Sequence, residues 1–592
     1  MFKSIIKLKD FLTVKQIFAF YGLIILMVIS ALLEIIGLGT IPIFISAVLD
    51  FELLQSYLVK LNISSLDFIT QINQDDLLIY MSIFLLTFFL FKNIFLMLVH
   101  YLGSYFSYKV STSISLKIYK KYLFNDFSFH LNRNSSALIK NIATEINISI
   151  SYLTSILFLL RELIMFSLIC FLLLINSPMS FSYISLLFLL FLFLFYQLLK
   201  KKVSVSGEKY FKSRDRLIFI IQQSLGFIKE VILLNKRNIF YDYFKKNIYI
   251  TEYQNVFLSI INKIPRLMFE ILAVLICLLI VNFFFNSSRN EILPILSLYG
   301  ISLIRLIPSY TQISSNIMSI RFRKLSFELI CNELNLSCPI SINKDKNIKQ
   351  NLFLYNFNKT ININNLSFSY EKKKDVLKGI NFSFNTGQAI GIVGSSGSGK
   401  TTLGDLIMGL YNPDKGLITM DGLDIKEYSL EWREMLGYVP QDVFILDSTI
   451  KNNIAVEFDE EKIDMDRLNN AIKLSNCDEY VNELPDKLDT MVGERGIRLS
   501  GGQKQRIGIA RALYKDPNII LFDEATSSLD IKNEEDIIKS ITGLKKNKTL
   551  ICISHKLSNL KNMDKIVVLK NGLVDRFGNA DDIISYLEKN KF

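Results

Sequence analysis

Six long apolar runs in roughly the first 320 positions constrain this chain more than any other feature. About 20 apolar residues are needed for a helix to cross a ~30 Å hydrocarbon layer. In that layer every backbone N–H and C=O must be satisfied internally, which leaves helices as the solution for segments of this length. Six transmembrane helices are therefore expected, near Phe18 to Leu49, Leu77 to Tyr101, Ile148 to Ile175, Phe181 to Leu199, Ile261 to Phe285 and Leu293 to Met318. Half of the 592 residues are hydrophobic and only 21% are charged, which excludes an ordinary soluble protein. The apolar excess stops near residue 320, so the expected division is a membrane domain over 1–325, a polar Asn- and Lys-rich linker over 326–359 and a soluble domain over 360–592.

Orientation follows from the distribution of Lys and Arg. Lys3, Lys7, Lys9 and Lys15 precede the first run, Lys109, Lys117, Lys120, Lys121 and Arg133 separate the second and third, and Lys200, Lys201 and Lys202 follow the fourth. Arg321, Arg323 and Lys324 follow the sixth, whereas the other connections are poor in basic residues. Both ends are expected in the cytoplasm. The two basic connections keep helical apolar spacing with few Gly or Pro, so they read as extensions of the spans reaching about 30 to 40 Å beyond the bilayer.

The net charge of +12 comes from Lys and Arg scattered over both halves, with no aromatic-interleaved basic stripe, so nucleic acid is not an expected partner and anionic lipid is. The six cysteines form no CxxC pair, and no disulfide framework is expected. The start, MFKSIIKLKDFLTVK, has no small-residue cleavage site, so no leader is expected to be removed.

Ionisable residues within spans cost about 2.5 to 3.5 kcal/mol each on insertion scales, so Glu34, Lys92, Arg161, Glu162, Arg266, Glu270 and Arg305 require partners or a water-filled cavity. One reading pairs Arg266 with Glu270 at i,i+4 and lets Lys92 and Arg161 snorkel. The other leaves Lys92, Arg266 and Arg305 as a basic cavity for an anionic group, since guanidinium suits bidentate phosphate contacts.

The soluble half carries GIVGSSGSGKTTL: a β-branched strand, a Gly-rich turn and a helix start. This is a P-loop, in which Gly394, Ser395, Ser396, Gly397, Ser398 and Gly399 present backbone amides to phosphates. Lys400 reaches the β- and γ-phosphates, the hydroxyl of Thr401 ligates Mg²⁺, and Thr402 continues the site into the helix. Further on, NIILFDEATSSLD places Asp523 and Glu524 at the end of an apolar strand, one carboxylate for Mg²⁺ and one to polarise water. Between them lies LSGGQKQRIGIARAL, with Leu499, Ser500, Gly501, Gly502 and Gln503 ahead of an amphipathic helix.

LSGGQ together with the P-loop resembles the nucleotide-binding domain of ATP-binding cassette (ABC) transporters, and six spans before one such domain resemble their exporter half-transporters. The resemblance implies that Tyr370 stacks on adenine and that Gln441 senses the γ-phosphate and touches the metal. It further implies that Ser528, Leu529 and Asp530 form the D-loop, that His555 is the switch histidine, and that Glu494 in VGERG faces the membrane stalks. Glu524, His555 and Gln441 become the expected catalytic group, with ATP and Mg²⁺ as cofactors. In this family the segment around Ser500 faces the P-loop of a partner chain, so a homodimer enclosing two ATP molecules is expected. Coupling helices are expected near Phe124 to Leu131 and Leu225 to Leu234. The fold expected is thus an all-α six-helix transmembrane domain with long cytoplasmic helical extensions, followed by an α/β P-loop ATPase domain.

For the substrate, IPRLMFE, SLIRLIPS and Lys92 look like the corresponding parts of the bacterial flippase for lipid-linked oligosaccharides of protein N-glycosylation. No peptidase-like domain is read ahead of the first span, which disfavours a leader-cleaving exporter. Leu53, Leu54, Tyr57, Leu58 and Leu61 have near-helical spacing and read as a short outer helix beside a polyprenyl tail. The expectation is ATP-driven flipping of a polyprenyl-pyrophosphate-linked oligosaccharide across a bacterial inner membrane. The alternatives are a multidrug, lipid or peptide exporter and, from another class, an ATP-gated channel or non-pumping sensor.

Overall fold

The computed structural model describes residues 11–49, 74–176, 178–283, 289–336, 360–370, 374–524, 543, 548–556 and 560–589. Two compact units are present, one of residues 1–125 and 129–340, the other of 126–128 and 341–592.

The first unit is helical. Its six long helices among the described residues are α1 (Val14–Leu49), α2 (Gln74–Leu123), α5 (Ile146–Asn176), α6 (Pro178–Gly226), α8 (Arg237–Phe283) and α9 (Arg289–Leu334). Short helices α3 (Phe127–Leu131) and α4 (Ser135–Lys140) separate α2 from α5, and α7 (Ile228–Leu233) separates α6 from α8. Each expected apolar run begins inside one long helix. Among the described residues, Val14–Ile41, Leu78–Leu123 and Ser135–Phe171 are long and apolar enough to cross a membrane. The exposed face of α2 carries Ile83, Leu90, Ile94 and Met97, the arrangement lipid-facing residues adopt.

The basic connections are helical, as expected. α2 continues beyond Tyr101 to Leu123 and α6 beyond Leu199 to Gly226, adding about 30 to 40 Å each at 1.5 Å per residue. Hydroxyls here bond back to their own helix, Ser107 to the Gly103 carbonyl and Thr112 to that of Tyr108, so they need no other partner. Where these extensions pack, Tyr152 of α5 stacks on Phe327 of α9 with centroids 4.4 Å apart. Gly207 brings α6 against α9 so closely that a Cβ there would lie 2.4 Å from the Phe322 carbonyl oxygen. Below this layer Arg133 pairs with Glu333 at 2.8 Å, and the Tyr122 hydroxyl donates to the same carboxylate at 3.0 Å. The short α3 and α7 lie within the two segments expected to hold coupling helices.

The second unit is α/β. One sheet has order β2-β1-β4-β5, built from β1 (Thr360–Tyr370), β2 (Lys374–Asn385), β4 (Lys415–Met420) and β5 (Leu423–Asp424). The other has order β10-β9-β3-β8-β7-β6, built from β3 (Ala389–Gly394), β6 (Leu436–Val439), β7 (Ile519–Asp523), β8 (Thr549–Ile553), β9 (Lys565–Lys570) and β10 (Leu573–Asn579). β9, β3, β8, β7 and β6 run parallel, and β10 is antiparallel to β9. Such a sheet is covered on both faces, which is why β3 reads AIGIVG and is buried throughout. Ligands of parallel sheets bind beyond the carboxyl ends of the strands, where β3, β7 and β8 deliver Gly394, Asp523 and Ser554. Cys170, Cys331, Cys477 and Cys552 are not in disulfide bonds.

Candidate nucleotide site

Gly394 ends β3 where a side chain has no room, since a Cβ would lie 2.3 Å from the Leu569 carbonyl oxygen. The turn then requires left-handed backbone at Gly397 (φ 78°) and at Gly399 (φ 101°), which caps helix α10 (Lys400–Ile407). Ser395, Ser396 and Gly397 are exposed, as is Thr401 in the first turn of α10. The loop therefore presents amides and a helix N-terminus to one open space, a ready anion site. Lys400 is buried, and its Nζ donates to the carbonyls of Gly394 at 2.9 Å and Ser395 at 3.0 Å. Burial lowers its pKa, while Glu524 and Asp523 act in the opposite direction.

Tyr370 ends β1 beside this helix. Its hydroxyl lies 3.0 Å from Oγ1 of Thr402, and its half-exposed ring meets Tyr411 edge-on at 5.6 Å. The P-loop and the expected stacking residue are thus joined through Thr402.

Glu524 follows β7 in the left-handed region, φ 49°, a costly conformation for a side chain of this size and one found at functional turns. Its amide donates to the Ile553 carbonyl at 3.0 Å, which ties the turn to the neighbouring strand. Oε2 accepts from Nε2 of Gln441 at 2.9 Å, and Oε1 lies 2.8 Å from Nε2 of His555. Three residues from three separate segments, all expected in the catalytic group, therefore meet on one carboxylate. Asp523 beside them has its pKa raised by burial first and the Glu524 charge second. The oxygens of Thr401, Gln441 and Asp523 are the hard donors Mg²⁺ takes, and the repulsion between Asp523 and Glu524 is relieved by a cation, so these residues fit the metal.

Ser500 caps helix α11 (Gly501–Tyr514). Its Oγ accepts from the Gln503 amide at 3.2 Å while the Gln503 side chain accepts from the Ser500 amide at 2.9 Å. This reciprocal box organises the LSGGQ turn, leaving Ser500 and Gly501 exposed and Gly502 partly so. Glu494 sits exposed in a short turn flanked by Gly493 (φ 75°) and Gly496 (φ 63°). Ser528, Leu529, Asp530 and the expected outer helix around Tyr57 lie outside the described residues.

Two residues of the nucleotide corner escaped the sequence reading. Asp405 of α10 has its carboxyl pushed up to about 6 by burial and by the Asp523 charge. An acidic residue among the apolar positions of KTTLGDLI was the available signal. Tyr438 of β6 is raised to about 12 by burial and the same carboxylates, and no sequence signal marked it.

The expected basic cavity is less united. Arg266 pairs with Glu270 at 3.1 Å, the i,i+4 reading of the sequence. Lys92 lies 4.3 Å from the Phe89 ring centroid, and its stem runs beside Gly37 of α1. Arg305 is on α9, with its side chain outside the described set. A polar cluster that the sequence did not assemble joins Arg161 to His100 at 3.0 Å and to Glu162 at 3.9 Å.

Residues 24–307 match the family model of the ABC transporter transmembrane region, and residues 377–527 match that of the ABC transporter. A heterocyst differentiation ATP-binding protein, HepA, of Nostoc sp. is 35% identical over 315 residues, 53% of this chain and 50% of that protein. An ATP-dependent lipid A-core flippase of Vibrio parahaemolyticus is 40% identical over 227 residues, 38% of this chain and 39% of the flippase. The chain spans half or less of the length of these curated relatives. A solved bacterial Atm1-family ABC exporter with ATP bound superposes with TM-score 0.76 at 21% identity, covering 97% of this chain and 96% of that one. The chain thus has the fold of an ABC exporter. A region like the membrane part of ABC transporters and a domain like their ATP-binding part thus stand in one polypeptide.

Proposed function

We propose that this chain is an ATP-driven half-transporter of a bacterial inner membrane that works as a homodimer and flips an amphiphile with an anionic head, a polyprenyl-pyrophosphate-linked oligosaccharide. The observation that carries the hydrolytic part is the convergence of Gln441 and His555 on Glu524, next to the P-loop. ATP places its phosphates against the amides from Ser395 to Gly399, with adenine on Tyr370. Lys400 exchanges the carbonyls of Gly394 and Ser395 for phosphate oxygens, a charge-assisted contact of greater strength. Thr401, Gln441 and Asp523 would hold Mg²⁺, which would supply charge neutralisation. Glu524 orients water and takes its proton, while His555 and Gln441 each hold one carboxylate oxygen and so fix the plane of the group.

One P-loop covers one side of the γ-phosphate, and phosphoryl transfer needs donors on several sides. The exposed first turn of α11, at Ser500, Gly501 and Gly502, is a second anion site. We assign it to the partner's nucleotide, and Asp530 with it to the shared seam. The membrane reading and the positions of α3 and α7 support coupling of this seam to the helices, with domains taken as 1–325, 326–359 and 360–592.

For the cargo, the support is the basic character of Lys92 and Arg305, Arg266 being paired with Glu270, and the sequence likeness of the fifth and sixth spans. Reconstitution in liposomes with a fluorescent lipid-linked saccharide tests both parts. Glu524→Gln abolishing flipping together with ATP turnover supports the engine. Undiminished flipping after Lys92→Ala with Arg305→Ala defeats the anionic-head cavity. Turnover stimulated by amphipathic cations and indifferent to the glycolipid identifies a multidrug exporter instead.

A further inference from the structure

The described part of the membrane unit holds a cleft of about 740 Å³ between α1 and α2, within the usual range of ligand pockets. Lys15 and Lys109 stand at one end, and Gly22, Leu26, Leu102 and Phe106 line it toward the apolar spans. No lining residue is acidic. The Lys109 ammonium sits 5.3 Å from the ring centroid of Tyr105, another lining residue, so its charge is held over the cleft wall. At Gly22 a Cβ would meet nothing within 4 Å, so the space is open at the centre of the wall. An apolar trough capped by two cations has the shape and charge of one acyl chain joined to a phosphate.

We propose that this cleft binds an anionic glycerophospholipid of the cytoplasmic leaflet, one acyl chain lying past Gly22 and the phosphate between Lys15 and Lys109. The reasoning is charge complementarity with a depth gradient. Lys15 and Lys109 fall where the apolar runs of α1 and α2 give way to polar sequence, the level of the head groups. Basic residues at that level attract anionic lipid. A lipid that is only annular would discriminate little between head groups; this one discriminates by the two ammonium groups and is limited by the space at Gly22.

Native mass spectrometry of the full chain, released from nanodiscs of mixed phosphatidylglycerol and phosphatidylcholine, tests the assignment. The unaltered protein is expected to retain phosphatidylglycerol about tenfold over phosphatidylcholine. Lys15→Ala with Lys109→Ala is expected to erase that preference, and Lys15→Arg with Lys109→Arg to keep it. Gly22→Leu, whose side chain enters open space, is expected to reduce retention of both lipids. An unchanged preference in the double Ala variant overturns the proposal, and so does unchanged retention in Gly22→Leu, which decides the matter even where the double variant is poorly folded. The measurement requires neither nucleotide nor transport, so its failure is distinct from failure of the ATP-driven reading.

Discussion

Oε1 of Glu524 lies 2.8 Å from Nε2 of His555, and this contact joins the turn after β7 to the turn after β8. Gln441 holds the other oxygen from a third segment, so the carboxylate is oriented from both sides. If Glu524 is the base and His555 positions it, the two substitutions separate. Glu524→Gln is expected to lower ATP turnover by about 10² to 10³ with ATP binding within a few-fold of normal. His555→Ala is expected to lower turnover by roughly tenfold to a hundredfold, also with binding retained, because the carboxylate remains but loses its orientation. Steady-state hydrolysis measured beside binding of a fluorescent ATP analogue checks both; a His555→Ala defect confined to binding contradicts the positioning role.

The reciprocal bonds of Ser500 and Gln503 predict that stability and turnover part company at the LSGGQ turn. Ser500→Ala is expected to cost about 1 kcal/mol through the lost cap and to lower turnover. Ser500→Asp keeps a good cap but adds negative charge where phosphate is expected, so thermal stability is retained while ATP turnover falls at least tenfold. Equal losses of stability in the two variants would leave the cap account without support.

Asp405 gives a pH dependence of defined sign. Its carboxyl is raised to about 6 in the fold against the ordinary value near 3.8, so the native state holds the proton more tightly than the unfolded chain. Its contribution to stability is full below about pH 4 and is lost as pH rises through about 6. Asp405→Asn is then expected to stabilise the ATP-binding unit by about 1 to 2 kcal/mol at pH 7.5, after allowance for solvent screening, and by little at pH 4. Trp432, the chain's one tryptophan, is fully buried in this unit and donates to the Ile407 carbonyl at 2.7 Å, so its fluorescence follows the transition. A gain equal at both pH values would remove the titration as its cause.

Gly207 tests the packing of the helical extensions. A Cβ there would stand 2.4 Å from a backbone oxygen of α9, which cannot yield as a flexible side chain would. Gly207→Ala is expected to destabilise the helical unit by about 1 to 3 kcal/mol despite the better helix propensity of Ala. Thermal aggregation of the detergent-solubilised protein would show it, with Gly103→Ala, where a Cβ meets nothing within 4 Å, as the control that keeps or gains stability.

What was legible in the sequence was local. The apolar runs, the helical spacing of the basic connections and the strand-turn-helix of the P-loop each follow from residues within a few turns of one another, and each appears in the structure. The Arg266–Glu270 pair was legible for the same reason, since i,i+4 residues share one face of a helix. The meeting of Gln441 and His555 on Glu524 was expected from family resemblance and not from spacing, and the raised pKa values of Asp405 and Tyr438 were not expected at all. They depend on the order β3-β8-β7-β6, which brings distant strand ends to one edge.

The amino-acid order alone determined that the first half must be helical in lipid and that the second carries a phosphate loop, because hydrocarbon enforces internal hydrogen bonding and a tight turn admits glycine. Tertiary structure decided which side chain holds which. It set Lys400 on the carbonyls of its own loop, His555 on Glu524, and Lys15 and Lys109 at one end of a shared cleft. Those relationships lie between segments far apart in the chain, and only the packing of strands and helices, not propensity or periodicity, fixes distances across them.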